Sequence, residues 1–404
     1  MAFVRILRAS HKPILGVILF VCSYLAATGS SPAQGFQTLA PHAILIDADS
    51  GTVLFEKSAD ELTAPASMAK IMTAELVFHE MQKGRINLDT EFTVSENAWR
   101  RGGAGSGGSS MFAQLNSSIK LSDLLRGIIV QSGNDASTVV AEGIAGTEDN
   151  FARMMTERAR ELGLTQSTFR NATGYGHPEQ KVTMRELAKL AIHIIETYPE
   201  LYRMFGEREF TWNKIRQQNR NPLLMLDIGA DGLKTGNIDE SGYGLVASAV
   251  QNGQRIVLAV NGLKTARERA AESRKLLEWG FRSFESRQLF AAGETVGEAQ
   301  LYGGARRSLP LTSPKPIRVL MPRGSNERLA ARIVYQGPIM APVGKGAQVA
   351  RLQVMRGESQ ALDVPLYAGE DVQTGSLSQR ALDGLLEFGS GIIRRAFSAV
   401  TDRS

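Results

Sequence analysis

The chain reads as an α+β protein: an antiparallel sheet flanked by helices with a helical insertion, followed by a small all-β domain and a C-terminal amphipathic helix. Three observations predict this. Two short strand-like runs, Ala43-Ile44-Leu45-Ile46-Asp47 and Thr52-Val53-Leu54-Phe55, flank Asp49-Ser50-Gly51, whose residues have hairpin-turn chemistry. From Ser67 to Lys189 apolar residues recur at helical spacing. Strand patterns then resume in a second hairpin ladder, so the helical block is bracketed by strands of one sheet.

Taken in order, residues 1–34 have the pattern of a secretory signal. Arg5, Arg8 and Lys12 precede an apolar run from Ile14 to Ala27, and small residues follow from Gly29 to Ala33. The run is short against the roughly 20 apolar residues of a bilayer span, which favours cleavage over a retained anchor. The one cysteine, Cys22, lies in this segment, and Val21 before it lacks the small residue of a lipoprotein site. The exported chain therefore has no thiol, which excludes disulfides, cysteine catalysis and thiolate metal sites.

Within the helical block, Phe151, Met154, Met155, Ala159 and Leu162 share one face, with Gly163 just past the end. Thr183-Met184-Arg185-Glu186 forms a capping box for a helix over Leu187 to Ile195. The second ladder consists of Gly232-Leu233-Lys234-Thr235, the run from Gly244 to Val250, a turn at Asn252-Gly253, and the run from Arg255 to Val260. Thr265 to Gly280 reads as a closing helix packing through Ala270, Leu276, Leu277 and Trp279. The composition shifts at about Arg287 to short alternating runs punctuated by Gly and Pro, such as Ile317-Arg318-Val319-Leu320. In the tail, Leu382, Leu385, Leu386, Ile392, Ile393, Phe397 and Val400 form one stripe. Such a helix suits a membrane interface, with docking on the protein itself as the rival. The expected organisation is a signal at 1–34, a catalytic domain at 35–286, a β-rich domain at 287–375 and a membrane-association helix at 376–404.

The formal charge is +5, and three of the cations lie in the signal; no basic run with interleaved aromatics is present, so nucleic acid is not an expected partner. The five histidines show no metal-ligand spacing, and no cofactor or metal is expected. Gly103, Gly105 and Gly108 satisfy G-x-G-x-x-G, but no hydrophobic strand precedes them, which leaves a Gly/Ser loop. His177, between Gly176 and Pro178, reads as a loop residue rather than a general base, and no serine sits in a G-x-S-x-G elbow.

Chemistry concentrates in Ser67-Met68-Ala69-Lys70, Ser132-Gly133-Asn134 and Lys234-Thr235-Gly236. Positions i and i+3 of a helix share a face, so Lys70 reaches the Ser67 hydroxyl: a nucleophile beside a base. That base must be neutral, which requires burial or neighbouring cations, and Lys234 is one such cation. The spacing alone identifies nothing, because about one or two S-x-x-K matches arise by chance in a chain this long. Ser117-Ser118-Ile119-Lys120 is such a decoy, in what reads as a polar turn before a helix capped by Ser122, and Ser95-Glu96-Asn97 imitates S-x-N. Pro65 and a long amphipathic run from Met68 through Met72, Leu76 and Val77 to Met81 select Ser67. Ser132 then suits a proton shuttle to a leaving nitrogen, and Asn134 suits a substrate amide. Lys234 and Thr235 suit a substrate carboxylate, while Gly236 admits close approach of substrate backbone. The backbone N–H groups of Ser67 and Asn237 are the expected oxyanion donors.

This ordered set resembles the penicillin-binding protein and serine β-lactamase superfamily. It is most similar to low-molecular-mass D-alanyl-D-alanine carboxypeptidases of the type-5 kind. Gly108-Ser109-Ser110-Met111-Phe112, the segment from Phe169 to Gly174, Asp231 to Gly236 and Glu278-Trp279-Gly280-Phe281 support it. The resemblance implies a β-lactamase/transpeptidase-like fold and attack by Ser67 on the bond between two terminal D-alanines of peptidoglycan stem peptides. An acyl-enzyme and acylation of Ser67 by β-lactam antibiotics follow. It also implies a bacterial periplasmic location, peripheral on the cytoplasmic membrane through the C-terminal helix. Ile238 stands where many relatives carry Thr, which bears on fine specificity. A DD-endopeptidase uses the same motifs. A β-lactamase deacylating through glutamate would show E-x-x-L-N, which the sequence lacks, and a non-catalytic wall-binding protein would not keep all three motifs intact.

Overall fold

The structure, a computed structural model, describes residues 36–357 and 359–377. The signal segment and nearly all of the tail helix read above lie outside the described residues. The described chain divides into two compact units after Phe284.

The first unit opens with the hairpin of β1 (His42–Asp47) and β2 (Val53–Lys57). Its turn is held by the Asp47 carboxylate, which accepts from the Ser50 N–H at 3.0 Å and the Ser50 hydroxyl at 2.6 Å. The chain then runs through α1 (Lys70–Gln82), β3 (Glu91–Thr93), α2 (Glu96–Gly102), β4 (Ser118–Lys120), α3 (Leu121–Arg126), α4 (Asn134–Ala145), α5 (Glu148–Glu161), α6 (Met184–Thr197) and α7 (Pro199–Tyr202). After the small hairpin of β5 (Glu209–Trp212) and β6 (Ile215–Gln218) come β7 (Ala230–Ile238), β8 (Gly242–Gln251), β9 (Gln254–Leu263) and α8 (Ala266–Ser283). The main sheet has the order β2-β1-β9-β8-β7, antiparallel throughout. The first hairpin thus joins the last strands across the helical insertion, and β7 is left at an edge.

Helices cover both faces of this sheet, which is why β1 and β9 read as continuous apolar runs rather than alternating ones. On one face Ile44, Ile46, Val246, Val257 and Ala259 merge into the core formed with α1 and α4 to α6. On the other, α8 packs against β8 and β9, with Gly280 beside Leu45 and Ile256. The antiparallel sheet flanked by helices, with its helical insertion, agrees with the sequence reading.

Three details differ from it. Helix α1 is buried almost all round, ten of its 13 residues, because it lies between α5, α6 and β7. The single amphipathic stripe expected from Met68 to Met81 therefore understates its burial, and Lys70, Thr73, Glu75 and Glu80 are polar groups inside the protein. Residues 118–120 are the strand β4, paired with β3, rather than a polar turn. Only Ile119 of that strand is buried, so the alternation was too short to register; Lys120 occupies the N-cap of α3, and the Ser122 N–H instead bonds Leu88 O at 3.0 Å. On α8 the buried set includes Arg269, Glu272 and Ser273, while Ala270 and Trp279 are half-buried. Glu272 is drawn inward because it accepts from the Thr38 hydroxyl at 2.7 Å and the Leu39 N–H at 3.0 Å. Trp279 packs instead on the ring of Phe36.

The second unit is all β. Strand β10 (Phe284–Phe290) begins at the division, followed by β11 (Thr295–Tyr302), β12 (Ser308–Thr312), β13 (Ile317–Pro322), β14 (Leu329–Val334), β15 (Ile339–Met340), β16 (Gln348–Arg356) and β17 (Ser359–Ala368). Strands β10 and β13 pair, and the rest form a sheet in the order β14-β16-β17-β12-β11-β15. It has a core of its own, including Leu309, Leu311, Val319, Leu352, Val354 and Leu366.

Candidate active site

Ser67 lies in a 3-10 turn, Ala66–Ala69, that feeds directly into α1. Ala66 has a φ of +49°, a conformation L residues adopt only under constraint, and strain of this sort concentrates at working sites. The turn leaves Ser67 half-buried, whereas Lys70, the first residue of α1, is 1% exposed. Its Nζ stands 3.1 Å from Ser67 Oγ and 2.7 Å from Asn134 Oδ1, and it also donates to Thr173 O. Burial, aided by the charge of Arg220 and opposed by Asp135 and Glu148, lowers the Lys70 pKa to about 7. A neutral amine beside a serine hydroxyl is thus available near neutral pH.

The second wall comes from α3 and α4. Between them a single π-helical turn, Gly127–Gln131, ends at Ser132, which is 2% exposed and left-handed at φ +67°. Such turns recur at functional sites because they re-aim one residue out of a helix. Gly133 then caps α4, which begins at Asn134. The next residue, Asp135, is fully buried and accepts from the Ser110 hydroxyl at 2.7 Å, Met111 N at 2.9 Å and Ala113 N at 3.0 Å. It fastens segment 110–113 to this wall, and Asn134 N bonds Ser109 O at 2.8 Å.

The third wall is the edge strand β7. Lys234 is 2% exposed and pairs in register with Val246, and Thr235 pairs with Leu245. Lys234 Nζ donates to Thr235 O at 3.3 Å. Burial, then the charges of Lys70, Arg220 and Arg269, push its pKa well below the usual lysine value. Gly236 lets the strand close on the nucleophile turn: a Cβ there would lie 2.8 Å from Pro65 O and 3.1 Å from Met68 Cγ. Asn237, next along, is exposed. The Asp231 carboxylate, bound to Tyr202 at 2.7 Å and Arg255 at 2.7 Å, fixes the start of the strand, and Asn221 Nδ2 holds Gly232 O at 2.8 Å. Exposed Arg220 is the neighbour of Asn221.

Of the residues singled out from sequence, Lys70 touches both Ser67 and Asn134 directly. Lys234 is close enough for its charge and that of Lys70 to oppose each other. Ser132 and Asn237 are placed by the elements beside them, on the turn before Asn134 and the residue after Gly236. The decoys separate cleanly. Lys120 pairs with Asp89 at 2.9 Å and the Ser117 hydroxyl with Gln114 O, while Ser95 caps α2. His177 accepts from the Glu179 N–H within its loop, and the glycine run follows a helix rather than a strand. Sequence reasoning missed Thr173, Tyr175, Asp135 and Arg220. Thr173 belongs to the segment quoted for the resemblance, but a backbone carbonyl leaves no residue-type signal, and Arg220 sits in no motif.

Two family models match the chain: D-alanyl-D-alanine carboxypeptidase, Peptidase S11, over residues 27–265, and the C-terminal domain of penicillin-binding protein 5 over residues 284–374. D-alanyl-D-alanine carboxypeptidase DacC of Escherichia coli is 38% identical over 343 residues, 84% of this chain and 86% of the relative. Among solved structures, penicillin-binding protein 5 of Haemophilus influenzae is 34% identical with a TM-score of 0.75, covering 85% of this chain and 100% of its own. Penicillin-binding protein D2 of Listeria monocytogenes in a cefotaxime-bound form is 27% identical with a TM-score of 0.56, covering 61% of this chain and 99% of its own.

Proposed function

The chain belongs to the D-alanyl-D-alanine carboxypeptidase family, Peptidase S11, and on that premise we propose that Ser67 is its nucleophile and Lys70 the base that activates it. The observation that carries this is the buried Lys70 amine, 3.1 Å from the Ser67 hydroxyl with its pKa lowered to about 7.

The substrate is a peptidoglycan stem peptide ending in D-Ala-D-Ala. Ser67 Oγ attacks the penultimate D-alanine carbonyl as its proton passes to Lys70. The C–N bond breaks, and the departing D-alanine nitrogen takes a proton through Ser132. Water then cleaves the ester and restores the serine. The backbone N–H groups of Ser67 and Asn237 stabilise the oxyanion. Asn134 holds Lys70 through its Oδ1 and orients a substrate amide. The terminal carboxylate is drawn to Lys234 and Thr235, because an anion there relieves the burial and the charges of Lys70, Arg220 and Arg269 that disfavour the Lys234 ammonium. A β-lactam carries the same carboxylate and an acylating carbonyl, so it enters as a substrate mimic, and a cefotaxime-bound relative supports this.

In this reading, segment 1–34 is an export signal that brings the enzyme to the bacterial periplasm, and the apolar stripe in the sequence of 376–404 holds it peripherally on the membrane surface. Among the described residues no helix is long and apolar enough to cross a membrane. Mass spectrometry with a D-Ala-D-Ala pentapeptide and with penicillin, on wild type and Ser67→Ala, tests the catalytic reading. Wild type is expected to release alanine and to gain a penicillin adduct on the Ser67 peptide, and the variant to do neither. A wild type that released no alanine and gained no adduct would sink it, and cleavage confined to cross-linked dimers would instead mark an endopeptidase.

A further inference from the structure

We propose that the Tyr175 hydroxyl is a positioning group for the reaction: it fixes which end of the Asn134 amide faces Lys70, and so aims the Lys70 lone pair at Ser67. This rests on the reading of Ser67 and Lys70 as nucleophile and base.

A neutral lysine has two N–H donors and one lone pair. Three oxygens surround Lys70 Nζ: Thr173 O, Asn134 Oδ1 at 2.7 Å and Ser67 Oγ at 3.1 Å. The first two are carbonyl oxygens and only accept, so they take both N–H groups. The lone pair is left for the one neighbour that carries a proton, Ser67. Turned end for end, the Asn134 amide would present its NH2 to Nζ, a donor competing with Ser67 for that lone pair.

What forbids the turn lies at the other end of the amide. Asn134 Nδ2 donates to Tyr175 OH at 3.0 Å, and the single hydrogen of that hydroxyl is committed to Arg101 O at 2.7 Å. A hydroxyl so committed can only accept from Asn134, and therefore selects its NH2. Tyr175 is itself held by its own backbone: its carbonyl accepts from Asn171 Nδ2 at 3.0 Å and Gln180 Nε2 at 2.9 Å, and its N–H reaches Thr173 Oγ1 at 3.2 Å. One short loop thus supplies both the Thr173 carbonyl and the hydroxyl that orients Asn134. Gly108 closes the contact from the opposite side, since a Cβ there would lie 2.8 Å from Asn134 Nδ2 and 3.1 Å from Tyr175 OH. The charged groups acting on Lys70, namely Arg220, Asp135 and Glu148, and Lys234, on which Lys70 acts in turn, are all distinct from this contact.

The test is single-turnover acylation by a penicillin across the pH range, with D-alanine release and thermal melts alongside, on Tyr175→Phe and on Gly108→Ala. In both variants the limiting acylation rate is expected to fall roughly tenfold to hundredfold, as for a misaligned reacting pair. The apparent dissociation constant should change by less than about threefold. The acid limb should move to lower pH, because the Lys70 ammonium loses an acceptor when the amide turns. A rate and limb unchanged from wild type, or a uniform loss with the limb fixed, would overturn the proposal by making Tyr175 inert or merely structural. If one variant fails to fold, the other decides. A wild type without an adduct on Ser67 would overturn the nucleophile reading and this inference together, whereas a normal wild-type adduct with unaffected variants overturns this inference alone.

Discussion

Acylation should follow the ionisation of Lys70. A lysine at its reference value of about 10.4 is neutral in roughly four molecules in ten thousand at about pH 7. Burial and the Arg220 charge bring Lys70 to about 7, where half of the molecules carry the free amine. The environment therefore raises the basic fraction by about three orders of magnitude. The sign is that of a depressed base: activity is present above the folded pKa and is lost as pH falls through it. The acylation rate should drop to about a tenth of its plateau at about pH 6 and about a hundredth at about pH 5. Stopped-flow acylation by a fluorescent penicillin measures this directly, because the penicillin carboxylate does not titrate in that range. Lys70→Arg, which keeps the charge but has no accessible neutral form, should lose about three orders of magnitude in rate and the limb with it. A flat profile, or a limb in the carboxylate range near about pH 4, would refute the assignment of Lys70 as base.

Arg220→Gln removes a cation that depresses both site lysines, so the acid limb of acylation should move to higher pH in the same stopped-flow assay. Gly236→Ala sets a methyl 2.8 Å from Pro65 O, a backbone atom that moves only with the Ser67 turn. Overpacking of this kind costs about 1–3 kcal/mol, visible as a lower melting temperature, and acylation should fall by about two orders of magnitude as the turn shifts.

The sheet and its helical insertion were legible because their signals are local. The hairpin turn at Asp49-Ser50-Gly51, the capping threonine at Thr183 and the Asn252-Gly253 turn each punctuate an apolar run. In the structure Thr183 accepts from Glu186 N at 3.1 Å. The Glu186 side chain, by contrast, leaves the capping box to bind Ser167 N at 2.7 Å, a partner 19 residues away that no local pattern encodes. The same distinction governs the site. Ser67 and Lys70 are three residues apart on one turn, so their contact follows from spacing. Asn134, 64 residues from Lys70, was singled out by its motif, yet its bond to the lysine depends on the tertiary fold. Thr173 and Tyr175 act through a backbone carbonyl and through one hydroxyl aimed by a loop, features that residue type does not announce. Arg220 likewise gains meaning only from the tertiary fold, in which its neighbour Asn221 is bonded to Gly232 of β7.

Two buried lysines make the site a source of instability. The folded protein holds both pKa values below those of the unfolded chain, so over the window from about 7 to about 10.4 for Lys70 the unfolded state binds more protons and stability rises with pH. Below that window the cost of the buried ammonium is fully present. The two lysines answer it differently. Lys70 is given carbonyl partners that tolerate either protonation state, which suits the proposed role of a base that gains and loses a proton in each turnover. Lys234 has one long contact, to its neighbour's carbonyl, and the repulsion of Lys70, Arg220 and Arg269. An anion delivered to that place favours the charged form of Lys234 and offsets the repulsion, and a peptide carboxylate is such an anion. The same charge that destabilises the fold therefore suits the proposed capture of a free C-terminus, which is what a carboxypeptidase must distinguish from an internal peptide bond.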